Sequence, residues 1–468
     1  MSEGALPEAW DRGVAPAHRV FLECTSTNSS RYSTGIQRAV RNLVRASVAI
    51  DGPWRCVPVI YNGRFLEPIA SLTDPVTRPD GEESPTSVVD RLRQAFHLSR
   101  GMVTRAIPSN RLRAVLHSQR VEYGLRRIVY AAQNTRRWTR SFRADSGRRV
   151  EFTRGDTLVL LDSTWNVDLT GELRRARTAG AAVWVVVNDL IPIEYPELAP
   201  EGTPILLDKW LRRTFPFASG FLGISRAVAS GLRAHLSRIE LTRANSTAAP
   251  PIEYFYLGAG LDRIVAGDHA LAIVTNAFQR ERGNIYLVVG TLEPRKNHSR
   301  ILDVFDRLWS ESAAVSLFIF GRLGWRSAAL AQRIRTHPQL GRRLVWLESG
   351  TDAELDYAYR HASALIFASE CEGFGLPLVE AMQYGLPVLA SDIAVFREIG
   401  GDYPQYFDQR DVRSLLDSIR RLEIFTTGAG SVVRAPRDWL SWDASARMLL
   451  DHVTGIAAGA RVVGRGKP

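Results

Sequence analysis

A chain of 468 residues, 45% of them hydrophobic and 23% charged, has the make-up of a soluble globular protein and the length to bury more than one large core. Its clean apolar runs, such as Ala181 to Val187, fall well short of the ~18 residues of a membrane span, and the opening MSEGALPEAWDRG has early acids and prolines where a secretory signal has an apolar core. Three cysteines, Cys24, Cys56 and Cys371, are far apart and odd in number, which argues against a disulfide framework or a cysteine metal site and for a reducing cytoplasm. The net charge of +11 is concentrated: between Arg91 and Val150 stand 15 arginines against Glu122 and Asp145, and the rest of the chain is close to neutral. Such a block suits an anionic surface, phospholipid headgroups or nucleic acid, and equally a solvated helical face.

In chain order, His18 to Glu23 reads as a strand, followed by a loop of Ser, Thr and Asn that reaches Gly35. From Ile36, apolar residues at Val40, Leu43, Val44 and Val48 keep helical spacing. Strand, polar loop with glycine, then helix is the opening of a nucleotide-fold lobe. The unalternating runs Thr157 to Leu161 and Ala182 to Val187 fit buried parallel strands. Helical patterns follow each, near Glu172 to Arg177 and Leu206 to Arg213, and Phe221 to Ile224 leads through Ser225 into a capped helix. Tyr254 to Asp262 closes this first lobe, with a hinge between Asp262 and Asn284. Strands then alternate with helices at Ile285 to Val289, Ser316 to Phe320, Leu344 to Leu347, Ala364 to Ala368 and Pro387 to Ala390, which predicts a second parallel sheet. Ser441 to Val453 has helical spacing, and the tail from Gly455 reads as disordered.

The expected fold is therefore α/β, with two Rossmann-like parallel-sheet lobes facing a cleft. Residues 18–262 form the first lobe, with 91–150 as a basic helical insertion. Residues 284–440 form the second, and 441–468 the C-terminal helix and tail. Ligands of such sheets sit beyond the C-terminal strand edges, so the chemistry belongs in the loops after strands.

Two such loops stand out. In Ser369 to Met382, SECEGFGLPLVEAM, Gly373 and Gly375 let the backbone approach a ligand, and Pro377 suits a first helical turn. The helix that follows, running to Tyr384 and stopping at Gly385, offers free N–H groups and a positive dipole end to an anion. Glu372 and Glu380 flank this start; acids there suit ribose and sugar hydroxyls better than phosphate. In Val289 to His298, VGTLEPRKNH, a strand end delivers Arg295 and Lys296 together, enough charge to balance a diphosphate without metal. Lys296 is one of only three lysines in an arginine-rich chain, with Lys209 and Lys467, which hints at a need for a compact ammonium.

The pair GTLEPRKNH and ECEGFGLPLVEA resembles family 4 of the retaining glycosyltransferases, whose fold is GT-B and whose signature is two glutamates separated by seven residues, here Glu372 and Glu380. The resemblance covers the second lobe and, more weakly, the first, where TGIQRAVRN (Thr34 to Asn42) and VNDLIPIEYPE (Val187 to Glu197) are similar to mannosyltransferases of bacterial surface polysaccharides. It implies a nucleotide-diphosphate sugar as donor, with Arg295 and Lys296 on the diphosphate, Glu380 on the ribose and Glu372 on the donor sugar. The amides of Gly373, Phe374, Gly375 and Leu376 would line phosphate and sugar, and Gly35 would approach the diphosphate from the first lobe. It further implies a hexosyl transfer, with mannose from GDP-mannose as the first choice of donor, onto a glycan, lipid-linked in the favoured reading, and a basic first lobe resting on the inner face of the cell membrane.

Two departures follow. Thr291 stands after Gly290 where many relatives have Arg, and Asn188-Asp189 stands where many have a histidine near the reacting sugar. Asp189 is thus assigned to the acceptor or donor sugar, against a turn cap before Pro192. His117, His298 and His361 are isolated and read as surface or packing residues, and no metal or other cofactor is expected. Trp165 and Trp325 suit sugar or base stacking as well as core packing. The alternatives are transfer of rhamnose or another hexose, a nucleotide-sugar epimerase of the same fold, which would need an acid/base set the first lobe does not display, and an arginine-rich nucleic-acid binder, which would leave the second lobe unexplained.

Overall fold

The computed structural model describes residues 18–30, 34–72, 149–240, 249–260, 274–279, 283–428 and 437–455. The basic block lies outside them except for Arg149 and Val150, as do His117 and the tail from 456 onward. The chain divides into two compact units. One comprises Met1–Leu222, Leu232–Glu253 and Ala446–Pro468; the other comprises Gly223–Gly231 and Tyr254–Ser445. The division thus runs before Tyr254, upstream of the span from Asp262 to Asn284 chosen from sequence, and the C-terminal helix Trp442–Thr454 counts with the first unit from Ala446 onward.

The first unit is built on a sheet of seven strands among the described residues: β1 (His18–Glu23), β2 (Trp54–Tyr61), β3 (Leu66–Pro68), β4 (Thr157–Leu160), β5 (Ala182–Val187), β6 (Gly220–Gly223) and β7 (Ile252–Tyr254), in the order β3-β2-β1-β4-β5-β6-β7. β2, β1, β4 and β5 run parallel, with Glu23 level with Leu160, and β3 pairs antiparallel with β2. All four residues of β4 are buried, as its unalternating sequence requires of a strand covered on both faces. β2 escapes sequence reading because Pro58, which has no ladder N–H, sits inside it, between β1 and β3. The helix Gly35–Ala49 buries Val40, Leu43 and Val44 of the predicted stripe, with Ala39 beside them, while Ile36 is half-buried and Val48 is exposed.

The second unit holds β8 (Asn284–Val289), β9 (Val315–Phe320), β10 (Leu344–Leu347), β11 (Ala364–Phe367), β12 (Val388–Ser391) and β13 (Gln405–Phe407), in the order β10-β9-β8-β11-β12-β13. Every pairing in it is parallel. Five of these strands lie within one residue of their predicted bounds; β13 is too short to announce itself. The helix His298–Ser310 buries Ile301, Leu302, Val304, Phe305 and Leu308 against Leu317, Ile319, Leu415 and Ile419. Each such side chain contributes about 1.5–3 kcal/mol by leaving water, and truncating Leu308 to Ala would cost about 2–5 kcal/mol.

Candidate active site

In a sheet of this kind the crevice opens where consecutive strands part in opposite directions. In the second unit that point is β8 beside β11: β9 and β10 continue one way, β12 and β13 the other. The two loops singled out from sequence are the loops that leave β8 and β11. They are tied by their backbones, Glu370 N–H donating to the Arg295 carbonyl at 2.8 Å. Asn297 holds the left-handed conformation before the helix His298–Ser310 and donates from Nδ2 to the Ala368 carbonyl at 3.0 Å.

This brings Arg295, Lys296 and Glu372 together. Arg295 Nη1 lies 2.9 Å from Glu372 Oε2 and donates to the Cys371 carbonyl at 3.2 Å, while its Nε bonds Glu293 at 3.1 Å. Lys296 Nζ donates to Glu372 Oε1 and sits 5.0 Å over the Phe367 ring. Burial alone would push the Glu372 carboxyl up, but Arg295 and Lys296 outweigh it and hold the group down at about 2. Burial lowers the Lys296 ammonium, with Glu372 opposing and Arg295 reinforcing. The cations are therefore not idle charges waiting for an anion; Glu372 engages both. An ammonium has three N–H donors, and Lys296 gives one to Glu372 among the described residues, which leaves donors for further oxygens.

Beyond Glu372 the chain turns through Gly375, whose φ of +109° suits glycine; a Cβ there would stand 3.1 Å from Phe396 and 3.2 Å from Phe367. The helix Leu376–Gln383 follows with Pro377 in its first turn and ends before Gly385 at φ +66°. The amides of Gly373, Phe374, Gly375 and Leu376 reach no acceptor among the described residues. Together with two adjacent cations they form a site suited to an anion. Glu380 is buried on the same helix, and its Oε2 accepts from the Tyr359 hydroxyl at 2.8 Å. Tyr359, from the helix Asp352–His361, was not foreseen.

Gly35 and Asp189 belong to the first unit. Gly35 is the first residue of its helix, where Thr34 and Gln37 form a capping box. Asp189 Oδ1 accepts from Ile191 N–H at 3.1 Å, the turn-cap geometry. Asn188 Nδ2 reaches Ser163 Oγ at 3.4 Å. Sequence reading also missed a buried acid pair. Glu23 ends β1 and Asp162 follows β4, the two strands at the first sheet's own switch point, and both are fully buried. Glu23 Oε1 accepts from Thr25 N–H at 2.8 Å; Asp162 accepts from Thr27 and Ser163 N–H. Burial, reinforced by Asp162, pushes the Glu23 carboxyl up to about 8, and burial raises Asp162 as well. His298 is buried and held neutral, its ring lowered to about 3 by burial and then by Lys296 and Arg295. His361 is exposed and stacks on Tyr357. Trp165 and Trp325 are half-buried.

Residues 275–424 match the family Glycosyl transferases group 1. The second unit carries a glycosyltransferase group 1 domain. The chain is 34% identical over 328 residues to the serotype-specific mannosyltransferase WbdA of Escherichia coli, a match that covers 67% of this chain and 38% of that protein. It is 28% identical over 229 residues to the O-antigen chain mannosyltransferase B of Escherichia coli, covering 49% and 58%. The chain thus spans well under half the length of the first of these relatives. Among solved structures, the catalytic domain of starch synthase IV from Arabidopsis thaliana bound to ADP and acarbose superposes with a TM-score of 0.55 at 12% identity, covering 94% of this chain and 98% of that one. Anabaena Alr3699/HepE in complex with UDP and glucose gives 0.52 at 12%, covering 93% and 95%. The fold is accordingly GT-B, two Rossmann-like lobes, and the group 1 domain contains both loops of the candidate site.

Proposed function

We propose that this chain is a retaining hexosyltransferase of family 4 that moves a mannosyl group from GDP-mannose onto a lipid-linked glycan of a bacterial surface polysaccharide. The observation that carries the reading is the switch point of the group 1 domain, where the amides of residues 373–376 stand open beside Arg295 and Lys296. Mannosyltransferase relatives favour the sugar. In this reading Arg295, Lys296 and the helix start take the donor diphosphate, Glu380 takes the ribose with its far oxygen fixed by Tyr359, and Glu372 takes the donor sugar. Asp189 and Gly35 contribute from the first unit. The bond from anomeric carbon to diphosphate oxygen breaks, the acceptor hydroxyl oxygen bonds the same carbon from the same face, and its proton leaves with the diphosphate. Donors fixed in advance around the leaving oxygens stabilise the charge that develops there.

The test is a panel of nucleotide-sugars and free nucleotides read by thermal stabilisation and slow hydrolysis. Stabilisation by GDP and GDP-mannose with release of GDP supports the reading. Stabilisation by no nucleotide overturns it, and preference for another base or sugar moves the assignment within the class. The basic block is assigned to an anionic bilayer, where each cation near the surface contributes ~1 kcal/mol. Sedimentation with neutral and anionic vesicles at low and high salt tests this, and salt-sensitive binding to RNA in place of vesicles would sink it.

A further inference from the structure

The donor loop is flexible by composition. Phe374 stands between Gly373 and Gly375, so neither neighbour restrains the backbone, and the open amides need their direction fixed from outside. Two sets of contacts do this within the second unit. Phe374 is 3% exposed, its ring held by Tyr256 at 6.4 Å and Trp439 at 6.0 Å, which lie 5.9 Å from each other. Ser225, fully buried at the start of the helix Arg226–Glu240, donates from Oγ to the Gly373 carbonyl at 2.8 Å. The same Oγ accepts from Val228 N–H at 3.1 Å.

A helix cap needs only the second bond. The first has a different consequence. In a trans peptide the carbonyl and the next N–H point opposite ways, so tying the Gly373 oxygen to Ser225 aims the Phe374 N–H away from Ser225. The helix start is itself clamped. Glu398, from the helix Ala394–Gly400, accepts Arg226 N–H at 2.6 Å and Ala227 N–H at 2.8 Å, one on each carboxylate oxygen, and, with burial, its charge helps to keep the proton on the Tyr256 hydroxyl. Glu398 therefore grips the element that carries Ser225.

We infer that Ser225 is a positioning residue for the donor loop, setting the Gly373–Phe374 peptide so that the Phe374 amide faces the donor, with Glu398 holding Ser225 in place. The direction of the amide follows from the contacts; the identity of what it faces rests on the function proposed above.

The experiment compares wild type, Ser225→Ala, Ser225→Thr and Glu398→Gln by hydrogen–deuterium exchange and by donor turnover. In Ser225→Ala, exchange across residues 369–379 rises on the order of tenfold while 298–310 is unchanged, and kcat falls at least about tenfold with KM for the donor within about threefold, since misaligned groups lose rate before binding. Ser225→Thr, which keeps the hydroxyl, restores both readouts. Glu398→Gln, at a half-buried position, moves them the same way by less and serves where the alanine variant does not fold. Unchanged exchange across 369–379 in both variants overturns the inference whatever turnover does, as does a uniform rise over the whole unit. If wild type turns over no nucleotide-sugar but the loop still loosens in Ser225→Ala, the proposed function falls and the positioning role stands.

Discussion

The two sheets of this protein meet the same problem at their switch points and solve it in opposite ways. In the second unit a largely covered carboxylate, Glu372, faces Arg295 and Lys296 and is held at about 2. In the first unit a buried carboxyl, Glu23, faces another acid, Asp162, and is pushed up to about 8. Both take hydrogen bonds, and burial pushes both carboxyls up; at Glu372 the two cations outweigh burial, whereas at Glu23 the neighbouring acid adds to it. One switch point is an ionised cluster with donors to spare. The other is an acid that keeps its proton and pins its own loop through Thr25 N–H. The first arrangement can answer an incoming anion, and the second is built to hold a backbone still.

Removing a cation from the ionised cluster should have the largest effect. Lys296→Ala deletes the ammonium that serves Glu372 and the assigned diphosphate, and the loss in the transition state is on the order of 2–4 kcal/mol. Turnover should fall about 30- to 1,000-fold while the far-ultraviolet spectrum stays native; wild-type turnover would take Lys296 out of the diphosphate site. Glu372→Gln breaks the cluster from the other side. Two partly buried cations lose their shared counter-charge, which lowers stability, yet both are then released for anions. Calorimetry should find pyrophosphate and nucleoside diphosphate bound at least as tightly as by wild type, with turnover reduced. Weakened binding of free diphosphate would mean that Glu372 orients the cations more than it competes for them.

The asymmetry between the units also marks what a sequence can carry. The second-unit site was legible because each of its parts is local: glycines, a proline and an acid within one loop, and a cation pair within another, each after an unbroken apolar strand. The first-unit acid pair was not, because Glu23 and Asp162 are far apart in sequence and only the placement of β4 beside β1 makes them neighbours. Ser225 was readable as a cap, whereas its bond to Gly373 spans 148 positions. Tyr359 looked like any aromatic on a helix until the fold set it against Glu380. β2 was hidden by Pro58, and β3, β7 and β13 are each only three residues long. The basic block, plain in composition, lies outside the described residues.

A smaller effect tests the proton on the first-unit pair. Glu23 is raised in the folded state from an ordinary value of 4.5 to about 8, so between these values the native chain holds a proton that the unfolded chain has released. Stability then falls as pH rises through that window, by at most about 1.4 kcal/mol per pH unit for one proton. Asp162, raised as well, acts in the same direction, and the Cys24 thiol is pushed up so far that it stays neutral throughout. Glu23→Gln keeps the shape and removes the charge, so its stability against denaturant should lose the Glu23 share of this slope and exceed wild type near pH 8. A slope undiminished by the substitution would assign the proton elsewhere.

The smallest expected effect is that of a chelator. Paired buried acids can be neutralised by a proton or by a divalent metal, and the two differ in what EDTA does. Glu23 keeps its proton up to about 8, and both groups are buried and committed to backbone N–H donors from Thr25, Thr27 and Ser163. A metal would have to displace that proton and compete with those amides, and hard cations ask for several oxygens at once. Under the proposed assignment, Arg295 and Lys296 would supply the positive charge that a diphosphate otherwise draws from Mg²⁺. Excess EDTA should therefore leave donor turnover and the melting temperature unchanged, in wild type and in Glu23→Gln alike. Loss of turnover restored by Mg²⁺ or Mn²⁺, with the melting temperature steady, would show that the second-unit cations do not suffice for the diphosphate. A fall in melting temperature confined to wild type would put the metal on Glu23 and Asp162, and the contrast between the two switch points would then be one of metal against cationic side chain.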